Sequence, residues 1–75
     1  MQYTLTPGHY DVDRYGWELE SEEERCIACI DSFANDDATD TRLAQAWANQ
    51  LLGKQLDWTR TANCCGSGHH YTAED

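Results

Sequence analysis

The stretch Ser21-Glu22-Glu23-Glu24-Arg25-Cys26-Ile27-Ala28-Cys29-Ile30-Asp31-Ser32-Phe33-Ala34 decides how this chain folds. Ser21 ahead of three glutamates has the form of a helix start. Its hydroxyl can accept from a free N–H, Glu24 at the third helical position completes a capping box, and the acids suit the positive helix end. At the helical repeat Cys26, Ile27, Ile30, Phe33 and Ala34 fall on one face, with Cys29 on its edge and Arg25, Asp31 and Ser32 turned outward. The expectation is a first helix with its stripe toward the core.

Moving toward the C-terminus, Asn35-Asp36-Asp37 breaks that pattern, and Thr39 or Asp40 can cap a second helix. Leu43, Ala44, Trp47, Ala48 and Leu51 form its stripe, and Gly53 is placed as its stop. From Gln55 the period changes to two, with Leu56, Trp58, Ala62 and Cys64 opposite Asp57, Thr59, Thr61, Asn63 and Cys65. That predicts a strand, a turn at Gly66-Ser67-Gly68 and a returning strand over His69 to Thr72. A frayed acidic tail, Ala73-Glu74-Asp75, ends the chain.

Toward the N-terminus, Gln2 to Thr6 alternates around Tyr3 and Leu5, and Pro7-Gly8 reads as a turn. His9 to Val12 then reads as a second strand. Tyr15, Trp17 and Leu19 alternate with Gly16, Glu18 and Glu20 beyond a turn near Asp13-Arg14. The expected fold class is α+β, a small antiparallel sheet from N- and C-terminal strands packed on two helices. Residues 1–75 form a single acidic domain, and the sheet's inner face is aromatic. With 75 residues the chain supports one core, marginally stable unless stapled.

Charge is segregated. Asp11, Asp13, Glu18, Glu20, Glu22, Glu23, Glu24, Asp31, Asp36, Asp37 and Asp40 face only Arg14 and Arg25 within their segment, which therefore carries the whole formal net charge of −9. Beyond it Asp57, Glu74 and Asp75 balance Arg42, Lys54 and Arg60. Negative charge repels nucleic acid and anionic membrane and speeds encounter with basic surfaces, so the expected partner is a basic protein surface. The plain reading is a solvated face that keeps a small protein soluble, with Glu22 and Glu24 serving a helix end. The sharper reading is a binding surface made of Asp11, Asp13, Glu18, Glu20, Glu22, Glu24, Asp31, Asp36, Asp37 and Asp40. Spaced carboxylates imitate nucleic-acid phosphates and so fit a Lys/Arg groove built for DNA or RNA. Asp11-x-Asp13 lacks the glycine and bidentate glutamate of a calcium loop.

Cysteine and histidine raise the question of metal. Cys26-x-x-Cys29, Cys64-Cys65 and His69-His70 offer enough S and N donors for a tetrahedral zinc, which stabilises a small domain. Against this, zinc cysteine pairs sit on tight turns, and Cys26 and Cys29 fall here in an apolar helical stripe. Free thiols behaving as small hydrophobes come first, zinc second, and a disulfide such as Cys26 to Cys64 third. Thioredoxin-like chemistry is disfavoured because Glu22, Glu23 and Glu24 oppose thiolate formation at Cys26. Cys65 and His69 make a local Cys–His pair with no third member in view, so no enzyme is expected.

No basic region followed by an apolar run opens the chain, and no segment has the length of a membrane span, so the expected compartment is the cytoplasm. A small, acidic, mixed strand-and-helix domain without an enzyme signature resembles the inhibitors encoded by phages and mobile elements, including anti-CRISPR and antirestriction proteins. The resemblance is one of charge, size and architecture over the whole chain. It implies a stoichiometric inhibitor in the host cytoplasm that binds a nucleic-acid-handling complex and blocks its access to DNA as a DNA mimic. The alternative is a zinc-stabilised structural or adaptor module.

Overall fold

A computed structural model of the chain describes residues 1–11, 14–63 and 68–75, with side chains for all of these except 9–11 and 14. Its elements run β1 (Gln2–Asp11), β2 (Arg14–Ser21), β3 (Ala28–Asp31), α1 (Asp37–Leu52), β4 (Thr59–Ala62) and β5 (His69–Glu74). The strands form one five-stranded sheet in the order β3-β2-β1-β5-β4, with every neighbouring pair antiparallel. Among the described residues there is one helix, which overturns the expectation of two helices on a smaller sheet.

The difference lies in the stretch from Ser21. The capping chemistry is present: Ser21 Oγ accepts from the N–H of Glu23 at 3.3 Å and of Glu24 at 3.0 Å. It closes a turn rather than a helix, because the Ser21 N–H donates to the Glu24 carbonyl at 2.8 Å. The Ile27 N–H then donates to the Leu19 carbonyl at 2.8 Å and brings the chain back against β2. Isolated helices of this length are marginal, so pairing with an existing strand decides the outcome. At period two Ala28 and Ile30 are half-buried and Cys29 and Asp31 are exposed.

A second correction falls at Pro7-Gly8. No turn forms there; β1 runs straight through, with Pro7 opposite Trp17 and Gly8 opposite Gly16. The β1–β5 ladder, by contrast, ends at Leu5 opposite Tyr71. Pro7 has no N–H to give, and it stands just past the end of that ladder. The expected hairpin between residues 12 and 15 joins β1 to β2. The expected turns at Asp13 and at Gly66-Ser67 lie outside the described residues.

The helix α1 starts three to four residues earlier than expected. Asp36 is its cap, accepting from the Thr39 N–H at 2.9 Å and the Thr39 hydroxyl at 2.7 Å. At the other end Gly53 adopts φ 68°, and the N–H groups of Gly53 and Lys54 return to the carbonyls of Gln50 and Asn49. That is the left-handed stop for which glycine is suited. Ala44 and Ala48 are fully buried, so two small side chains let the helix lie close on the sheet. Leu51, expected on the stripe, is 50% exposed, and Leu52 packs on the core instead. Asn49 Oδ1 accepts from Trp58 Nε1 at 3.0 Å and the Leu56 N–H at 3.3 Å, holding the segment after the helix.

The core lies between α1 and one face of the sheet. Leu5 and Leu19 are its fully buried large side chains, joined by Trp17 and Tyr71 with ring centroids 6.1 Å apart. Asp40 is buried beneath them at 4% exposure, its carboxylate accepting from the Phe33 N–H at 2.7 Å and the Ser32 hydroxyl at 3.0 Å. A buried carboxylate needs such donors, and these two tie the β3–α1 connection to the first helical turn.

Candidate functional site

Alternation along the strands divides the side chains between two faces. Tyr3, Leu5, Trp17, Leu19, Ile30, Tyr71 and Ala73 lie under α1. In the same register Thr4, Thr6, Glu18, Glu20, Cys29, His70 and Thr72 occupy the opposite face, which no other element covers among the described residues. Glu20, Thr4, Thr72 and Thr59 follow one another across four strands. Cys29, Glu18 and Thr6 form the neighbouring row. Among side chains described on this open face there is no Lys or Arg.

The acids proposed from sequence separate into groups. Glu18 and Glu20 are half-buried on the open face, and Asp31 ends β3 on the same side. Glu22 is partly committed, its Oε1 accepting from the Gln2 N–H at 2.8 Å. Glu23 and Glu24 are exposed at the turn beside that face. Asp36, Asp37 and Asp40 belong to the helix side: Asp36 caps, Asp37 is exposed, and Asp40 is buried. The hydrogen bonds from Thr39, side chain first and backbone second, hold the Asp36 carboxyl below its ordinary value. The backbone of Asp11 pairs with Arg14; the Asp11 side chain and all of Asp13 lie outside the description.

The metal candidates also separate. Cys26 and Cys29 are exposed free thiols with sulfurs 3.3 Å apart, in a turn and an edge strand rather than a helix. The hydrogen bond from Cys26 and then burial, followed by the nearby Cys26 and Glu18 charges, push the Cys29 thiol up to about 11. His69 and His70 sit on β5, three strand spacings from β3, or roughly 14 Å. His69 Nδ1 lies 3.2 Å from the Arg60 guanidinium, and His70 Nδ1 lies 2.7 Å from Asn63 Oδ1. The structure thus does not bring the histidines to Cys26 and Cys29, and Cys64 and Cys65 lie outside the described residues. In their place Glu18 joins the two thiols, with the three ligand atoms within 4.8 Å of one another.

Sequence reasoning missed a cleft of about 400 Å³ beside the helix start, lined by Pro7, Tyr15, Trp17, Asp37, Arg60, His69 and Tyr71 among others. In the β1–β5 register Thr6 and His70 would be the next partners after Leu5 and Tyr71, and Pro7 and His69 the pair beyond them, so the cleft lies where those strands have ceased to pair. Trp17 Nε1 is buried there without a hydrogen-bond partner among the described residues. Asp37 and Asp40 oppose Arg60 across this wall, so the cleft has no single sign of charge. The open face does.

Compared with family models, with curated proteins and with solved structures, the chain gives no match. Among the described residues no helix is long and apolar enough to cross a membrane.

Proposed function

We propose that the chain is a protein inhibitor whose open sheet face binds a basic surface of a nucleic-acid-handling complex and blocks its access to DNA. The observation that carries this reading is the sign bias of that face: Glu18 and Glu20 with no Lys or Arg among its described side chains, and a flanking turn in which Glu22, Glu23 and Glu24 outnumber Arg25. Glu18 and Glu20 stand two residues apart on one strand, roughly 6.8 Å, twice the axial rise per phosphate of one DNA strand at about 3.4 Å. The threonine row beside them is flat, polar and β-branched, and gives hydroxyls that can bond phosphate-binding side chains. Such a surface acts as a rigid DNA mimic rather than as a catalyst.

Capture of bacterial proteins on the immobilised chain tests it. The expected result is retention of a nucleic-acid-handling complex that elutes as salt rises and is lost when Glu20→Lys and Glu24→Lys are combined. Asp37→Lys, on the helix side, leaves capture unchanged. Salt-insensitive capture that survives the double reversal contradicts the reading.

A further inference from the structure

Cys29 stands opposite Glu18 in the β2–β3 ladder, so their side chains lie together on the open face. The turn that replaces the expected helix brings Cys26 to the same spot, with its sulfur 3.3 Å from that of Cys29. Glu18 Oε2 lies 4.0 Å from the Cys29 sulfur. From this geometry we propose a thiophilic divalent-metal site in which Cys26 Sγ, Cys29 Sγ and the Glu18 carboxylate are three ligands of a tetrahedral zinc-type ion and the fourth position is open.

The dimensions fit with small adjustments. Tetrahedral Zn–S bonds of about 2.3 Å place two sulfurs about 3.8 Å apart, and a sulfur and an oxygen about 3.5 Å apart. The Cys26–Cys29 and Cys29–Glu18 pairs each move by about half an ångström, and the Cys26–Glu18 pair, within 4.8 Å in the structure, by no more than about 1.3 Å. Cys26 and Cys29 are exposed on a turn and an edge strand, where such shifts meet little resistance. Two sulfurs select Zn²⁺, Cd²⁺ or Co²⁺ over Mg²⁺ and Ca²⁺. The ion also clips the turn to β2.

Binding exchanges protons for metal. Each thiol gives up its proton as its S–M bond forms, and the Glu18 carboxylate donates an oxygen lone pair. Two positive charges arrive and two protons leave, so the exchange itself is neutral. Filling the site leaves the charge of the open face unchanged, so the metal site and the inhibitor reading stand or fall separately. Because the ion competes with protons, affinity rises with pH.

The test is titration of the reduced full chain with Co²⁺. One equivalent should produce thiolate-to-cobalt charge transfer and the visible bands of a tetrahedral ion, both removed by Zn²⁺. The double variant C64S/C65S keeps these bands, and C26S/C29S loses them while its far-UV circular dichroism stays that of a folded chain. Glu18→Gln keeps the thiolate band with affinity weakened at least about tenfold, since even losing an outer partner of a ligand costs that much. Bands that persist in C26S/C29S, or no thiolate band in the folded, reduced chain, overturn the proposal.

Discussion

Under α1 the sheet presents Leu5, Trp17, Leu19 and Tyr71, and on its other side the same strands present Thr4, Glu18, Glu20 and Thr72. A step of one residue along a strand crosses from one surface to the other. The covered side holds the fully buried large side chains among the described residues, and the open side holds Glu18 and Glu20 with no Lys or Arg among its own described side chains. Such a division lets the packing of one face and the charge of the other be altered independently, residue by residue. It also divides the acidic segment, because Asp36, Asp37 and Asp40 fall on the helix side, where two of them have structural duties.

Substitutions that break this contrast should rank by side. Leu19→Ala empties a fully buried position on the covered face and should cost about 3 kcal/mol, enough to leave much of so small a domain unfolded in a thermal melt. Asp40→Ala removes the acceptor of the Phe33 N–H and should cost about 1–3 kcal/mol by urea denaturation. On the open face Glu20→Lys should change stability by no more than about 0.5 kcal/mol in the same assay. A melting loss at Glu20 as large as that at Leu19 would erase the distinction between the faces.

Two titrations sharpen the comparison further. The Asp36 carboxyl is held below its ordinary value of 3.8 by the bonds from Thr39, so its contribution is complete above that pH and is lost as pH falls through the lowered value. Asp36→Asn should flatten the acid limb of the stability profile. For Cys29 the sign is opposite. A thiol raised from 9.0 to about 11 contributes below pH 9.0 and loses that contribution as pH climbs through 11. Its alkylation should be slow at pH 8, accelerate only toward pH 11, and quicken at pH 8 in Cys26→Ala.

Much of the sheet was legible from alternation. Tyr3 and Leu5, and Trp17 and Leu19, mark two strands with an apolar inner face, but the turn expected at Pro7-Gly8 hides their pairing with each other; the C-terminal hairpin is legible too, except that its first strand begins at Thr59 and not at Gln55. Gly53 marked the helix end because a left-handed stop has a local signature. The stretch after Ser21 misled because its local signals agree with either outcome. A capped start precedes Cys26, Ile27 and Ile30 at helical spacing, yet Ala28-Cys29-Ile30-Asp31 also alternates, and only contact with β2 chooses. The same non-local choice hid the Glu18, Cys26 and Cys29 cluster, since their juxtaposition follows from ladder register. Pro7 misled for a related reason: it punctuates one ladder without ending the strand.

On the proposed function, the open face occupies a groove meant for DNA. Duplex DNA binding by the captured complex, measured with increasing amounts of the chain, tests it most directly. The prediction is loss of DNA binding at a stoichiometric ratio, relieved by salt and absent with the Glu20→Lys, Glu24→Lys double variant. DNA binding that is unaffected by the chain, or suppressed equally by the double variant, would contradict it.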